Sequence, residues 1–518
     1  MRLKDVIRPA CRLVVAALLL AGGLALSPPR PAIAAPPSLP ADRLHFGLSN
    51  FDASWLTASG VPWRYRYTYI AGGVCWSGSA PGCADWTTWQ DPALPPGQYP
   101  IDYINNTPSG TIPVFPYYML LQSHRAADEA TDDYDNLNNP SLMSSYYANF
   151  RLLLQRVNST GRQAVIHVEP DLWGYLQQRS DNFNGDGTAD QISASVASSG
   201  LADVANYPNT AQGFGEALLH LRDLYAPNTV VMAVHASMWS SKIDVGSTIG
   251  SVDPAGEAAK TARFLSSTGN WDAVFNDLDD HDAGWWEKQG ADNQWFTHWW
   301  NPTITDATAS YPNFPRYLAW VSTLRSQTGK PQMAWQVPEG NQYFLTMNNT
   351  CGHYQDDVAE YFLGHPAALN SAGLIAVLFG AGNSCQTTNE DTQKDGTTNN
   401  GGQPTLDAAT TAWCSGCNTN ASQYADDDGG YLRIFVGRYY ASPQPRHIAP
   451  EPPLLYTPVS PPAMQATPAL TQRTSTTAGI SSPGVSSSGP PERVPQAAAS
   501  RQARVPYDPS RLIRGQPL

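Results

Sequence analysis

Three observations predict an α/β chain folded as a closed (β/α)8 barrel with long loops. Eight short apolar runs of strand length follow one another between residues 35 and 441. Amphipathic segments with helical spacing lie between the later runs, and strands that alternate with helices favour a parallel sheet. The body of about 400 residues has the size of such a barrel. A doubly wound open sheet is the alternative arrangement of the same elements.

The predicted strands are short and mostly apolar, which is typical of strands covered on both faces. The third contains Pro113 and Pro116, and the helical periodicity after the first three strands is weak. In chain order the strands cover 45–49, 63–70, 112–118, 164–168, 230–235, 271–275, 332–337 and 374–379. The helices with the clearest spacing of apolar residues cover 147–157, 214–224, 254–265, 314–324 and 358–363.

The N-terminal segment has the pattern of a secretory signal. Four basic residues precede the apolar run 13–26, and the small residues Ala32-Ile33-Ala34 follow it. The run of 14 residues contains two glycines and is short for a membrane span of about 20 residues. We expect residues 1–34 to be cleaved on export. The remainder, which has no other run of spanning length, is then a secreted extracellular protein with no membrane span.

The composition of the chain changes near Ser442. The last 77 residues contain 16 of the 44 prolines, together with clusters of serine and threonine, and show no apolar periodicity. Such a segment cannot bury enough apolar surface to offset the entropy lost on folding. We therefore expect one (β/α)8-barrel catalytic domain over residues 35–441, followed by a disordered Pro/Ser/Thr-rich tail over residues 442–518.

Six cysteines remain after the first 34 residues, which is an even number in an exported chain. Three disulfides are therefore expected, although six cysteines permit many pairings. The short loop with Gly and Pro between Cys75 and Cys83 makes this pair the best single assignment. Cys414 and Cys417 resemble half of a zinc or redox motif, but a local disulfide is favoured because no second CxxC is present.

The acidic charge of the chain limits its partners. The net charge is −13, and removal of the five basic residues and one acidic residue of the first 34 leaves −17. Binding to nucleic acid depends on cationic contacts to phosphate, so we expect no nucleic-acid partner. Aromatic residues make up 10% of the chain and charged residues only 14%, a composition that favours a carbohydrate partner. We expect a monomer.

Carboxylates follow three predicted strands, at the end where (β/α)8 barrels place their reactive groups. Glu169 and Asp171 follow the fourth strand, Asp277 and Asp279 follow the sixth, and Glu339 follows the seventh. A carboxylate at the end of a buried strand is costly unless it is solvated, paired or used in chemistry. These residues are therefore the candidates for catalysis and substrate binding.

A Glu after strand four and a second Glu after strand seven resemble the large clan of retaining (β/α)8-barrel glycoside hydrolases. The resemblance implies that Glu169 is the general acid/base and Glu339 the nucleophile. The chain has Val168 where the clan has Asn, and its Glu169-Pro170-Asp171 triplet is similar to that of the inverting cellobiohydrolases. Cleavage of a glycosidic bond needs one protonated and one ionised carboxyl group, and their separation sets the stereochemical course. Asp171 is therefore also a catalytic candidate, as a substitute acid or as a modulator of a neighbouring pKa.

The predicted function is a secreted glycoside hydrolase that cleaves a polysaccharide or oligosaccharide without a catalytic cofactor. One alternative is a non-catalytic carbohydrate-binding or surface protein on a barrel scaffold. Another is a metal-dependent hydrolase in which Asp279 and His281, with His235 or His298, hold the ion. Further tryptophans in the loop 295–300 could form platforms for sugar rings. The residues expected to bind substrate are His235, Asp277, Asp279, Trp173, Trp285, Trp286, Trp335 and Gln336.

The segment after the fourth predicted strand resembles a short calcium loop written D-x-N-x-D-G-x-x-D, with Asn in the first position. Oxygen ligands at alternate positions and a glycine at the turn suit Ca²⁺. Position twelve is Ser193, so the loop is not a complete EF-hand. A structural Ca²⁺ ion and a metal-free turn rich in Asn, Gly and Asp are the two interpretations. The calcium ligands would be Asn182, Asn184, Asp186, Thr188 and Asp190.

Overall fold

The computed structural model of the chain describes residues 35–51, 53–246, 248, 251–279, 281–288, 313–380, 385–398 and 424–442. The export signal, the tail beyond Ser442, the loop 295–300 and the Cys414–Cys417 pair lie outside these residues, and the predictions for them stay predictions. In the part of the chain that is described, no helix has the length and apolar character required to cross a bilayer.

Eight parallel strands form a closed barrel and follow one another around it in chain order. They are β1 (His45–Ser49), β2 (Tyr65–Tyr67), β3 (Ile112–Tyr118), β4 (Ala164–Val168), β5 (Val230–Ala236), β6 (Ala273–Asn276), β7 (Gln332–Val337) and β8 (Leu374–Phe379). The two-residue segment Ile70–Ala71 continues β2 along the end of β3. β1 pairs with both β2 and β8, and β2 also pairs with β3, so the ring is closed. The predicted (β/α)8 barrel is confirmed, and the open sheet is wrong because β1 joins the two ends of the strand order.

Helices connect consecutive strands and cover the barrel. All five predicted helices are present and longer than predicted, and weakly periodic segments after β2 and β3 also form helices. The helices are α1 (Ala53–Ala58), α2 (Gln98–Asn106), α3 (Leu120–Ser123), α4 (Glu129–Leu137), α5 (Pro140–Ser159), α6 (Leu172–Phe183), α7 (Ala211–Tyr225), α8 (Pro254–Ser267), α9 (Ala283–Lys288), α10 (Asn313–Thr328), α11 (Val358–Gly364), α12 (Pro366–Ala372) and α13 (Tyr431–Ala441).

Two of the long helices begin at an Asx-Pro pair, which explains where they start. The side chain of Asn139 accepts hydrogen bonds from the N–H groups of Ser141 and Leu142 at 3.1 and 3.2 Å, at the start of α5. Asp253 accepts from the N–H of Gly256 at 3.0 Å in the same way, at the start of α8. Proline at the first helical position needs no N–H partner and has the required φ, so both pairs define a helix start.

Alternation along the strands divides the apolar residues between two cores. Inside the barrel, side chains such as Val165, Ala233 and Phe275 fill the centre. The larger core lies between the strands and the helices and includes Ile166 of β4 and Leu153 of α5. Truncation of a buried leucine such as Leu153 to Ala costs about 2–5 kcal/mol in such a core. Packing on both faces holds the strand ends, and the polar residues that follow them, in fixed positions.

Two disulfides lie within the described residues. Cys75 pairs with Cys83, as predicted from the sequence. Cys351, after β7, pairs with Cys385, after β8, and thereby joins two loops at the carboxyl-terminal end of the barrel. Disulfides of this kind are typical of proteins that fold in an oxidising compartment.

Candidate active site

The predicted catalytic residues and two of the predicted substrate-binding residues lie at the carboxyl-terminal ends of the strands. Glu169 and Asp171 follow β4, His235 lies within β5, Asp277 follows β6, and Glu339 follows β7. Parallel strands of a barrel end on the same face, so these residues belong to one rim, which we call the mouth. Their immediate surroundings differ, and they define three distinct environments.

The carboxyl group of Glu169 is fully buried and hydrogen-bonded. Its Oε1 accepts from the backbone N–H groups of Met119 and Leu120, each at 3.2 Å, and from the hydroxyl of Tyr146 at 2.8 Å. These N–H groups lie at the start of α3, so the carboxyl caps this helix. Burial raises the pKa of Glu169 to about 8, although the three hydrogen bonds act in the opposite direction.

A backbone turn directs Glu169 away from the barrel interior. The φ angle of Glu169 is 43° and that of Asp171 is 69°, in a region that residues with a side chain rarely occupy. Val165 and His167 point inward, and simple alternation predicts the same for Glu169. The turn instead directs its carboxyl toward Tyr146 in α5, on the helix side. The acid/base role stays a prediction, and the contacts observed are those of a structural cap.

Glu339 is buried to a similar extent, with 1% of its surface exposed, but its hydrogen bonding differs. Neither carboxyl oxygen accepts a hydrogen bond from any residue that the structure describes. Burial raises the pKa of Glu339 well above its usual range, and the nearby charges of Asp428 and Asp282 raise it further. Burial and the neighbouring acids therefore both favour the protonated form of this carboxyl group. Burial raises the pKa of Tyr67, a phenol of β2, and the nearby Tyr69 and Glu339 raise it further.

Close packing of three loops positions Glu339. Asp282 accepts from the N–H of Gly340 at 2.9 Å and from the N–H of Thr387 at 2.9 Å, and so joins the segments that follow β6, β7 and β8. A Cβ atom at Gly340 would collide with the carbonyl oxygen of Tyr354, so only glycine fits directly after Glu339. The Glu-Gly pair is therefore part of a fixed wall of the mouth.

Asp171, His235 and Asp277 form the third environment, a compact cluster. One atom of each residue that could bind a metal lies within 4.8 Å of the other two. His235 Nε2 faces Asp277 Oδ1 at 3.2 Å, and His235 Nδ1 faces Nε2 of His167 at 3.0 Å. His235 is fully buried, whereas both aspartates are partly exposed. The cluster therefore combines a fixed imidazole with two carboxylates that solvent reaches.

Aromatic rings form the floor of the mouth inside the barrel. The ring of His167 stacks on Phe275, with centroids 4.4 Å apart, and packs edge-on against Trp335 at 4.8 Å. Burial lowers the pKa of His167 well below its usual value, so the ring is neutral. Trp335 also packs against Tyr67 and Tyr69, at 6.2 and 5.9 Å between centroids. The floor is therefore aromatic and uncharged.

The other predicted tryptophans separate into two groups. Trp173 is buried on the helix side, stacks on Phe214 with centroids 5.5 Å apart, and donates to the carbonyl of Val168 at 3.0 Å. It packs in the outer core instead of pointing into the mouth. Trp285 and Trp286 are partly exposed in α9 and pack against each other at 4.8 Å.

Asp279 and His281, the ligands of the alternative metal site, are engaged by these tryptophans. Trp286 Nε1–H donates to both carboxyl oxygens of Asp279 at 3.1 Å. The ring of His281 packs on Trp285, with centroids 3.8 Å apart. A metal site at Asp279 and His281 stays a prediction. Within the described residues, the three possible metal ligands that lie close together are Asp171, His235 and Asp277.

Gln336, which was predicted to bind substrate, is buried and has a φ of 55°.

The predicted calcium loop uses several of its side chains in other contacts. Asp186 forms an ion pair with Arg263 of α8. The hydroxyl of Thr188 donates to Asp190 Oδ1 at 2.5 Å. Asn182 is exposed and has a φ of 53°. Calcium binding by this loop stays a prediction.

Four residues that contact the candidate site residues were not predicted as site residues. His167 had a signal, because it is a polar residue on the inward face of an apolar strand. Tyr67 and Tyr69 had one too, since tyrosines alternate along the second predicted strand. Tyr146, which holds Glu169, had none, because it lies in a helix 23 residues away and only the fold brings the two together.

No protein-family model matches the chain, and no curated protein sequence does either. Among solved structures, the mannanase BCman from Bacillus subtilis is similar over 66% of this chain and 81% of its own, with 10% identity and a TM-score of 0.31. Endo-glycoceramidase II from Rhodococcus sp. is similar over 67% of this chain and 74% of its own, with 11% identity and a TM-score of 0.35. The carboxyl transferase domain of Rhizobium etli pyruvate carboxylase is similar over 77% of this chain and 48% of its own, with 11% identity and a TM-score of 0.31. The structural neighbours thus include glycoside hydrolases and a carboxyl transferase, and the likeness concerns the fold.

Proposed function

We propose that the protein is a secreted glycoside hydrolase whose reaction takes place at the mouth, with Glu339 as its general acid. The observation that carries the proposal is the buried carboxyl of Glu339, which has a raised pKa and no hydrogen-bond partner among the described residues. A glycosidic oxygen is a poor leaving group unless it is protonated. A glycosidase therefore needs a carboxyl group whose environment favours the protonated form, and the raised pKa of Glu339 supports this role.

The environments favour a different division of roles from the one that the resemblance implies. A nucleophilic carboxylate must be ionised, whereas burial and the neighbouring acids favour the protonated form of Glu339. The pKa of Glu169 is also raised, but its oxygens are occupied by the start of α3 and by Tyr146. We assign to Glu169 the task of holding the segments after β3 and β4 in position.

We assign a second role to the cluster of Asp171, His235 and Asp277. It either activates a water molecule as the nucleophile or supplies a carboxylate as the nucleophile. Its two carboxylates are partly exposed at the mouth, so substrate and water reach them. The contact of 3.2 Å between His235 and Asp277 gives that carboxylate a fixed direction. A positioned base contributes about 10²–10⁴-fold to a rate of this kind.

The aromatic side chains of the mouth support a carbohydrate as the substrate class. Sugar rings have apolar C–H faces, which stack on flat aromatic surfaces. Tyr69, which packs on the buried Trp335, is partly exposed at the floor, and Trp285 and Trp286 are partly exposed in α9. The net charge of −13 disfavours polyanionic substrates, since like charges repel.

The experiment that tests the proposal is a hydrolysis assay on a panel of α- and β-linked oligosaccharides and polysaccharides. The wild-type protein is expected to release reducing ends from at least one glycan, and Glu339→Gln is expected to do so at least about 100-fold more slowly. The melting temperature of both proteins is measured in parallel, so that loss of activity is separated from loss of fold. Binding of a glycan without turnover by the wild type would contradict the proposal and favour the carbohydrate-binding alternative.

The stereochemical course is a separate question. Retention of configuration is what the resemblance to the retaining clan implies, and it stays a prediction. Proton NMR of the first product anomer, recorded before mutarotation, measures it directly. Inversion would indicate direct attack by water activated at the cluster, since a retaining reaction passes through a covalent intermediate.

A further inference from the structure

The cluster at the ends of β4, β5 and β6 has the donor atoms of a metal site. His235 contributes an imidazole nitrogen, and Asp171 and Asp277 each contribute a carboxylate oxygen. Mixed nitrogen and oxygen ligands suit divalent transition ions such as Zn²⁺ and Mn²⁺ better than Ca²⁺, which takes oxygen ligands. We infer that Asp171, His235 and Asp277 bind one divalent transition-metal ion at the mouth of the barrel.

The spacing of the donor atoms supports this inference. Metal–ligand bonds of about 2.0–2.2 Å place neighbouring ligand atoms of a tetrahedral site about 3.3–3.6 Å apart. His235 Nε2 and Asp277 Oδ1 are 3.2 Å apart, which matches one edge of such a site. The carboxylate of Asp171 completes a group whose atoms all lie within 4.8 Å of one another.

The contact behind His235 is an independent observation. Histidines that bind a metal use their second ring nitrogen in a hydrogen bond, which fixes the orientation of the ring. His235 Nδ1 forms this contact with His167 Nε2 at 3.0 Å, and the two rings are stacked with centroids 5.1 Å apart. Phe275 and Trp335 pack around His167 and hold it in turn. The imidazole is therefore aimed at the two aspartates by the core of the barrel.

The histidine pair accommodates both the free and the bound state without movement of the rings. Without an ion, the two contacts fit the tautomer in which His235 Nε2–H donates to Asp277 and His235 Nδ1 accepts from His167. With an ion, the His235 Nε2 lone pair faces the metal, and Nδ1–H donates to His167 Nε2. Each imidazole only changes tautomer, because either ring nitrogen can carry the proton.

Three protein ligands leave at least one coordination position open. In proteins this is the arrangement of sites that bind water or substrate, in contrast to closed structural sites. The two aspartates are partly exposed, so the open position faces the mouth. This inference rests on the proposed function in one respect only, which is the use of the ion in catalysis. In that reaction a bound ion would lower the pKa of the water molecule that it holds. Binding itself is measured without a substrate.

Isothermal titration of the purified full-length protein with ZnCl₂ and with MnCl₂, after removal of metals by a chelator, tests the inference. We expect one ion per chain for the wild type. Asp277→Asn is expected to weaken binding at least tenfold, and Asp171→Asn is the second ligand variant in case the first does not fold. His167→Gln is expected to weaken binding about 10-fold or more, as loss of an outer contact does in other metal sites. Visible spectra with Co²⁺ report the ligand set independently.

Asp279→Asn is the matched control, because Asp279 lies two residues from Asp277 and belongs to the alternative metal site. Unchanged affinity in this variant, with loss in Asp277→Asn, supports the inference. Absence of binding at millimolar metal, or binding that follows Asp279 instead of Asp277, overturns it. Glu339→Gln separates the two proposals, because it is expected to bind the ion normally while it loses hydrolysis. Glycan hydrolysis by a wild type that binds no metal would overturn this inference alone.

Discussion

Two buried glutamates at the ends of two barrel strands show how differently one residue type can be used. Glu169, after β4, has its carboxyl oxygens in hydrogen bonds to two backbone N–H groups and a tyrosine hydroxyl. Glu339, after β7, has neither oxygen hydrogen-bonded to a described residue and is surrounded by other acids. Burial raises the pKa of both. The two carboxyl groups therefore share burial and differ in hydrogen bonding.

The difference concerns what each carboxyl contributes to stability. A buried polar group that is hydrogen-bonded stabilises the fold, and loss of its partner leaves an unsatisfied group that costs about 1–3 kcal/mol. A buried polar group without partners is already unfavourable, and such groups are retained at sites of function. Glu169 therefore has the character of a structural residue, and Glu339 has that of a residue kept for chemistry.

The largest expected effect is on activity. Glu339→Gln is expected to lower kcat/KM by about 10²–10⁴-fold on a glycan that the wild type cleaves, since the amide cannot donate a proton. Glu169→Gln is expected to stay within about tenfold of the wild type, because general acid catalysis does not pass through it. Initial rates for both variants under identical conditions give the comparison. Equal loss in the two variants would contradict the division of roles between Glu169 and Glu339.

The next effect concerns the disulfide on the β7 side of the mouth. The Cys351–Cys385 pair spans 34 residues and Cys75–Cys83 spans 8. Chain entropy predicts that replacing the first pair with serines lowers the free energy of unfolding by about 4 kcal/mol, and the second by about 2–3 kcal/mol. Urea denaturation of the two double variants measures this order. A reversed order would mean that the loops near Glu339 are ordered in the unfolded chain or are already held by other contacts.

A smaller effect is expected on the β4 side. Tyr146→Phe removes the hydroxyl that donates to Glu169 at 2.8 Å and is expected to cost about 1–3 kcal/mol of stability. Tyr147→Phe is the matched control, because its hydroxyl donates to the carbonyl of Ser195 at 3.2 Å in the same helix. The control is expected to cost about 1 kcal/mol. Equal losses of stability would indicate that the hydrogen bond to Glu169 stabilises the fold no more than the one to Ser195.

The last expected effect is a dependence of stability on pH. The pKa of Glu169 is raised from 4.5 in the unfolded reference to about 8. The folded protein keeps this proton through a range in which the unfolded chain releases it. The stability contributed by this group is therefore complete below about pH 4.5 and is lost as the pH rises to about 8. We expect the melting temperature to fall over this range by several degrees, on the order of 5 °C for this group alone, because each pKa unit corresponds to about 1.4 kcal/mol.

Glu169→Gln tests the source of this dependence, because the amide keeps the shape of the side chain and does not titrate. Scanning calorimetry at intervals between pH 5 and pH 8 should give a shallower slope for the variant than for the wild type. An unchanged slope would assign the pH dependence to other buried acids, such as Glu339 or Asp428, whose pKa values are also raised.

Much of the barrel could be predicted because its strands are set by local patterns. All eight strands are present, and the second differs because it is interrupted at Thr68 and Tyr69 before Ile70–Ala71 resumes the pairing. The short helices α3 and α4 were not predicted, because their apolar residues are too few to show a helical period. Glu169 and Glu339 were placed correctly at strand ends, since that position depends only on where each strand stops.

The surroundings of these side chains could not be predicted in the same way. Alternation predicts that Glu169 points inward, but a left-handed backbone conformation reverses this direction. The sequence has no glycine beside Glu169 that would have indicated such a conformation. Its partners Tyr146 and Met119 are 23 and 50 residues away in sequence. The same holds for His235, whose contacts to His167 and Asp277 join three different strands.

Apolar periodicity and turn residues alone were sufficient for the fold class, for the order of the strands and for one disulfide, because each depends on residues close together in the chain. Only the closed barrel decided which buried acid is satisfied, which is left without a partner, and which two aspartates meet a histidine. The physical reason is that burial and hydrogen bonding are properties of a position in space. That position is created by segments far apart in sequence, whose side chains meet only when the ring of strands closes.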